Sequence, residues 1–362
     1  MSLKRKLKLV SLFSGGGGLD IGFESAGFES ILCTDIEKIA CETLKANGIG
    51  KKIINKPIED ITNEELMNVH GISDLDVVIG GPPCPAFSKS RFYRKEMTHG
   101  MDDPSFSTVR DYFRVVETLC PKFFIFENVH TFAAKRQKGA LEYVLKKAKE
   151  IGYETQWNIL NALNYGVPQK RQRFILIGSL PGYSFFFPEI THRDPNSNNM
   201  FEAHLPKWKT AGEAIGDLYK EENGPDLPGH IAGGKDHNLL KEIPPGENYL
   251  FFTEKKGHPN PIFKWRSRYW SFLLKLSPDQ PSWTIQARRS NNMGPFHWRS
   301  RILTISEVKR LQSFPDDFKF SGTTEQQWRQ IGNAVPPLLA KCIAQQVAES
   351  INRRENNGIK AA

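Results

Sequence analysis

Over the first 180 residues, short apolar runs alternate with helix-length amphipathic segments, and that alternation leaves few architectures open. The runs at 8–13, 31–35, 76–80, 123–127, 156–160 and 174–178 have the length and content of strands. Between them, 19–26, 39–47, 109–119 and 140–151 carry helical spacing. Such a pattern packs as an α/β fold, a doubly wound sheet with helices on both faces. The last two runs are joined by a loop alone, so that pair is expected to be antiparallel. From 181 to 300 the texture changes to Pro, Gly, Asn and aromatic residues with little periodicity. That stretch predicts a smaller, irregular domain with short strands. Helical patterning returns at Thr304, and 325–349 predicts one helix packed back on the first domain, with a frayed tail from Arg353. The expected divisions are 1–180, 181–318 and 319–362.

Composition narrows the class. No run approaches the roughly 18 apolar residues of a membrane span, and the apolar run after the basic start is too short for a secretory signal. With so short a stretch ahead of the first strand, no regulatory domain is expected. The cysteines are five, Cys33, Cys41, Cys84, Cys120 and Cys342, with no CxxC pair. Neither a disulfide framework nor a metal site is expected, and a reducing cytoplasm is. The net charge of +9 says less than its distribution. Between Lys255 and Arg301 lie ten Lys/Arg and one acid, Asp279, interleaved with Phe263, Trp265, Tyr269, Trp270, Phe272, Trp283, Phe296 and Trp298. Cations among aromatics suit a phosphate backbone and exposed bases; a basic surface over an aromatic core would give the same pattern.

Six motifs carry the chemistry. Leu12-Phe-Ser-Gly-Gly-Gly-Gly-Leu-Asp20 follows a strand and opens a helix, where glycines admit close backbone approach to a ligand. No Gly-Lys-Ser/Thr follows, which excludes a P-loop. Asp35 ends the next strand, where a carboxylate can accept ribose hydroxyls. Together they point to a nucleoside cofactor on a Rossmann-like sheet, without separating a nicotinamide from S-adenosylmethionine, or else to a plain glycine turn. Gly80-Gly-Pro-Pro-Cys-Pro-Ala-Phe-Ser88 follows an apolar strand. A lone cysteine is usually a buried small hydrophobe, whereas one held between prolines at a strand's carboxyl end is more often a positioned nucleophile. Phe123-Phe-Ile-Phe-Glu-Asn-Val129 ends a buried strand in a carboxylate, either a capping or surface group or a site residue. Gln169-Lys-Arg-Gln-Arg173 puts Arg171 and Arg173 on one side of an extended chain, as a clamp for phosphate or base or as a charged strand flank. Arg301-Ile-Leu-Thr-Ile-Ser-Glu-Val-Lys-Arg-Leu-Gln-Ser-Phe-Pro315 and Gln330-Ile-Gly-Asn-Ala-Val-Pro-Pro337 declare nothing alone.

In this order and spacing the six resemble the motif set of the DNA (cytosine-5)-methyltransferases, over nearly the whole chain except 181–300. The resemblance implies a Rossmann-like, S-adenosylmethionine-dependent sheet with a small target-recognition domain. It implies Cys84 as the nucleophile at cytosine C6, Glu127 on N3 and the exocyclic amine, and Arg171 and Arg173 as supports for the flipped base. Phe13, Ser14, Gly15, Gly17 and Leu19 would line the cofactor pocket, Asp35 would hold the ribose, and Ile36 and the Asp60-Ile61 pair would meet the adenine. Pro82 and Asn333 would close the site. Three positions depart from the family's habit: Pro85 where Gln is usual, no Arg-Gly in Asp103-Pro-Ser-Phe-Ser107, and Ile36 in place of a frequent large aromatic. The RNA-directed branch carries a Cys-Phe-Thr tripeptide that this chain lacks. An inactive nucleic-acid-binding scaffold would not need Cys84, Glu127, Arg171 and Arg173 together. A dehydrogenase would leave Pro83-Cys84 and Glu127-Asn128 idle. The resemblance is to bacterial restriction–modification enzymes. It implies a monomer acting on double-stranded DNA in the cytoplasm, on the nucleoid, beside an unbound restriction endonuclease of the same specificity.

Overall fold

The computed structural model describes residues 5–83, 106–218, 224–266 and 269–361. Its centre is a seven-stranded sheet of order β3-β2-β1-β4-β5-β7-β6. The strands are β1 (Leu7–Leu12), β2 (Phe28–Thr34), β3 (Lys52–Ile54), β4 (Val77–Gly80), β5 (Phe123–Val129), β6 (Glu154–Asn161) and β7 (Gln172–Ser179). The first five run parallel, and β7 lies antiparallel to β6, as the short β6–β7 connection predicts, and antiparallel to β5 as well. β3 is an addition to the sequence reading: three residues pair beside β2 with no apolar run to announce them.

The period of two divides the central strands between two cores. Val10, Leu12, Val78, Phe124 and Phe126 face α3 (Asn63–Met67), α4 (Ser107–Leu119) and α5 (Lys138–Glu150). Leu7, Leu9, Val77, Ile79, Phe123 and Ile125 face α1 (Gly18–Glu24) and the carboxyl-terminal helix, which supplies Leu339, Ile343, Val347 and Ile351. Strands buried on both faces read as continuous apolar runs, which is why β4 and β5 were legible. α1 crosses that helix closely, because a Cβ at Gly22 would stand 2.4 Å from Cβ of Ala340.

Where one continuous helix was expected over 325–349, there are two. After α2 (Lys38–Ala46), α6 (Ala211–Ile215), α7 (His237–Glu242) and α8 (Ile305–Leu311) come α9 (Thr324–Asn333) and α10 (Pro337–Ala361). Pro336 and Pro337 lack the backbone donors a through-going helix needs, and proline suits the first turn of a new one. Gln312 secures the break by donating from Nε2 to the carbonyls of Ile331 (3.0 Å) and Ala334 (2.7 Å). The expected fraying from Arg353 is also replaced by helix, which runs to Ala361.

Between β7 and α8 the described chain forms short helical turns and isolated bridges in place of the expected short strands. Its apolar residues, among them Ala211, Leu240, Phe252, Leu276, Ile285 and Leu303, share one core with Cys33, Leu44 and Ile49 of the first 180 residues. No helix among the described residues is long and apolar enough to cross a membrane.

Asp76 joins both ends of the chain at the amino-terminal edge of the sheet. Its fully buried carboxylate accepts from Arg5 at 2.7 Å and Lys122 at 2.7 Å, and both cations also meet Glu355 of α10. Burial works to raise the Asp76 carboxyl, but Arg5, Lys122 and the Lys8 amide overcome it and hold it below the usual carboxylate range. A depressed folded-state value stabilises above the ordinary carboxylate pKa and loses its effect as pH falls through the lowered one. Asp76→Asn is therefore expected to lower unfolding free energy by about 3 kcal/mol at neutral pH. Urea titrations should show the gap to wild type closing as the buffer is acidified.

Candidate active site

The chain winds outward in both directions from β1 and β4, so the crevice beyond their carboxyl ends is the switch point where an open α/β sheet binds ligands. A cavity of about 520 Å³ lies there. Its walls come from the turn after β1, the start of α2, the end of β4, the end of β5 and the segment from α9 to Val335.

The turn after β1 is strained and tied down. Phe13 and Gly15 have φ of 53° and 54°, the left-handed region that only glycine enters freely. The Ser14 hydroxyl donates to Ser11 Oγ at 2.8 Å, and the Gly15 amide donates to Asp35 Oδ2 at 2.8 Å. The other Asp35 oxygen accepts the Glu37 amide, also at 2.8 Å. Burial pushes the Asp35 carboxyl up, and these two amides oppose it. Gly18 has no room for a side chain, because a Cβ there would stand 2.2 Å from the Val335 carbonyl.

On the opposite wall, Glu127 and Asn128 end β5. Glu127 Oε1 lies 2.7 Å from Nε of Arg173, on the neighbouring strand β7. Burial raises the Glu127 carboxyl above its usual range, and the charges of Arg173 and then Arg171 pull it back. Gly81 makes the approach possible: a Cβ there would be 2.6 Å from Glu127 Oε2. Asn128 donates to the Pro82 carbonyl at 3.3 Å, and Thr108 donates to that of Pro83 at 3.1 Å. The described chain thus follows the cavity wall as far as Pro83, and the next residue in the sequence is Cys84, which lies outside the described residues together with Pro85.

Of the residues singled out from sequence, Phe13, Ser14, Gly15, Leu19, Asp35, Ile36, Pro82, Glu127, Arg173 and Asn333 line this cavity. Gly17, Arg171, Asp60 and Ile61 do not. Gly17 caps α1 at φ 77°, with Leu44 and Ile49 against it. Asp60 is the exposed end of a helical turn, Ile58–Asp60, and Ile61 is fully buried in the core beneath α4. Arg171 is buried and donates to the carbonyls of Ile285 (3.1 Å) and Gly332 (2.7 Å). Burial, with Arg173 beside it, holds its guanidinium well below the usual arginine value. The two arginines therefore divide their work: Arg173 meets the carboxylate, and Arg171 ties β7 to the loop at Ile285 and to α9. Sequence reasoning passed over Glu37, Arg329 and Gln330, which also line the cavity. Only the Gln330-Ile-Gly-Asn motif signalled that stretch, and its partners lie almost 300 residues away.

A carboxylate-bearing strand beside a glycine-lined cleft at the switch point defines a nucleoside-cofactor enzyme of the Rossmann class. The family model for C-5 cytosine-specific DNA methylases matches residues 7–349, and the chain belongs to that family. It is 37% identical to the type II methyltransferase M.SacI of Streptomyces achromogenes, over 98% of this chain and 96% of that one. It is 32% identical to M1.HphI of Haemophilus parahaemolyticus, over 94% and 86%. The fold matches that of the S. pombe Dnmt2 methyltransferase with a TM-score of 0.65 at 18% identity, covering 96% of this chain and 99% of that one. The protein is accordingly a DNA cytosine-5 methyltransferase of the type II restriction–modification kind, and family membership implies S-adenosylmethionine as methyl donor.

Proposed function

We propose that the chain methylates C5 of a cytosine extruded from a specific site in double-stranded DNA, through a covalent bond between Cys84 and C6. The observation that carries this reading is the meeting of the Glu127–Arg173 pair and the Pro82-Pro83 segment on one cavity wall, opposite the Asp35-anchored glycine turn.

The cavity fits S-adenosylmethionine in size and lining. About 520 Å³ is within the range of small-ligand sites. Phe13, Leu19, Ile36 and Val335 offer apolar wall, and Asp35 offers a carboxylate suited to ribose hydroxyls. Ser14, Gly15, Pro82 and Asn333 complete the holding set, while Gly17 shapes the turn from behind. The cofactor supplies an electrophilic methyl group on a sulfonium. Asp60 and Ile61 are not carried into this reading as direct contacts.

The protein's own groups then have defined tasks. C5 of cytosine is a weak nucleophile until a thiolate adds at C6 and the ring becomes enamine-like. The Cys84 sulfur forms that bond and leaves again when a base removes the C5 proton. Glu127, whose raised value favours keeping a proton, hydrogen-bonds N3 and offsets charge on the ring. Arg173 holds Glu127 in place, and Arg171 holds the strand that carries Arg173. The target atoms are hidden in stacked DNA, so the base must leave the helix, at a few kcal/mol. Lys275, Phe296 and Arg301 of the segment between Lys255 and Arg301 are buried, so the basic surface over an aromatic core accounts for them, and its exposed cations and aromatics would contact backbone and base edges. Exposed Trp265 and Trp270, with Lys255 4.1 Å from the centre of the Trp265 ring, support that assignment. The enzyme would act as a monomer on the bacterial nucleoid in the cytoplasm, beside a separate endonuclease of the same specificity.

The test is a trap. Fluorine at C5 cannot leave as a proton does, so duplex DNA substituted throughout with 5-fluorocytosine should hold the enzyme covalently when S-adenosylmethionine is present. A band of enzyme plus DNA on a denaturing gel is the expected result; its absence would rule out attack at C6.

A further inference from the structure

We propose that Arg329 is a cofactor-positioning residue that stacks its guanidinium on the adenine of S-adenosylmethionine, with Glu37 setting the angle of the plane. The inference rests on the cofactor reading above and adds a residue to it.

Arg329 and Glu37 both line the cavity, one from α9 and one from the turn that precedes α2. Arg329 Nη2 lies 3.0 Å from Glu37 Oε2, with side chains 47% and 54% exposed. An ion pair this open to water adds little to stability, so its position at the cavity calls for another explanation. Glu37 stands two residues beyond Asp35, the carboxylate suited to the ribose, and the Arg329 charge acts on Asp35 itself. The adenosine end of the ligand is therefore the end these residues meet.

Both supports are fixed. Asn55 Nδ2 donates to the carbonyls of Asp35 and Ile36, each at 2.9 Å, and Asp35 accepts the Glu37 amide. Trp328, next to Arg329, donates from Nε1 to the Gln286 carbonyl at 2.9 Å, which pins α9. Between Asp35 and Glu37 lies Ile36, an apolar side chain 64% exposed on the cavity wall. An aliphatic residue offers a flat base one apolar surface and no π-stacking. Phe13 brings one planar side chain to the cavity wall, and Arg329, in contact with Glu37 of the same turn, brings another. The ion pair engages the guanidinium by its edge and leaves its faces for a ring.

Calorimetric titration of the full-length protein with S-adenosylmethionine and with S-adenosylhomocysteine tests this. Arg329→Ala should weaken both by about fivefold, with no change in the melting temperature of the free protein. Arg329→Lys, which keeps the charge and loses the plane, should recover less than half of the deficit. Ile36→Trp in the Arg329→Ala background should recover most of it. Stacking predicts the same deficit at low and high salt. Wild-type affinity in Arg329→Ala, full recovery by lysine, or a deficit that vanishes in high salt would each overturn the assignment. Failure of the wild-type protein to bind either ligand would instead strike the cofactor reading from which the inference starts.

Discussion

Cys84→Ser is expected to reduce methyl transfer on the order of 10³-fold or more while leaving S-adenosylmethionine binding within about twofold of wild type. The two readouts separate because, Pro82 apart, the residues assigned to the cofactor reach the cavity from other segments: the turn after β1, Asp35 after β2, and Asn333 at the end of α9. A hydroxyl is too weakly acidic to replace a thiolate as nucleophile near neutral pH. Tritiated-methyl incorporation measures the first quantity and calorimetry the second. The serine protein should also lose the 5-fluorocytosine adduct. Undiminished turnover would remove Cys84 from the mechanism.

Glu127→Gln should come next in size, with kcat lowered about 10²- to 10⁴-fold. Glutamine keeps the shape beside Gly81 but has no carboxyl proton to share with N3, and it takes from Arg173 the carboxyl group it meets. The pH profile distinguishes this from simple misfolding. Burial raises the Glu127 carboxyl, so the protonated form persists to higher pH than in an exposed glutamate. Activity that depends on that proton falls as pH rises through the raised value, and the glutamine variant lacks this limb. A variant with the same limb as wild type would place the titrating group elsewhere.

Much of this arrangement was legible before any coordinates. Strands buried on both faces announce themselves as apolar runs, and β1, β4 and β5 were found within two residues of their observed ends. Tandem glycines before a helix and a proline-bound cysteine after a strand are local signals, and local signals survive in one dimension. Three features did not. β3 is three residues long and gains its identity from pairing with β2. The α9–α10 break at Pro336 and Pro337 sits inside an apolar period that continues through it, so the period reads as one helix. Arg171 and Arg173 share a side by alternation, yet only one reaches the cavity; the other is claimed by carbonyls of Ile285 and Gly332, more than a hundred residues away.

The cleft between β1 and β4 is finished by Arg329, Gln330, Asn333, Ala334 and Val335, residues translated long after the glycine turn they face. During synthesis the emerging polypeptide can form most of the sheet and still lack one wall of its ligand site. Catalytic competence then waits on α9. A nascent chain stalled anywhere before α9 would hold the glycine turn and the sheet yet leave the cleft open on that side.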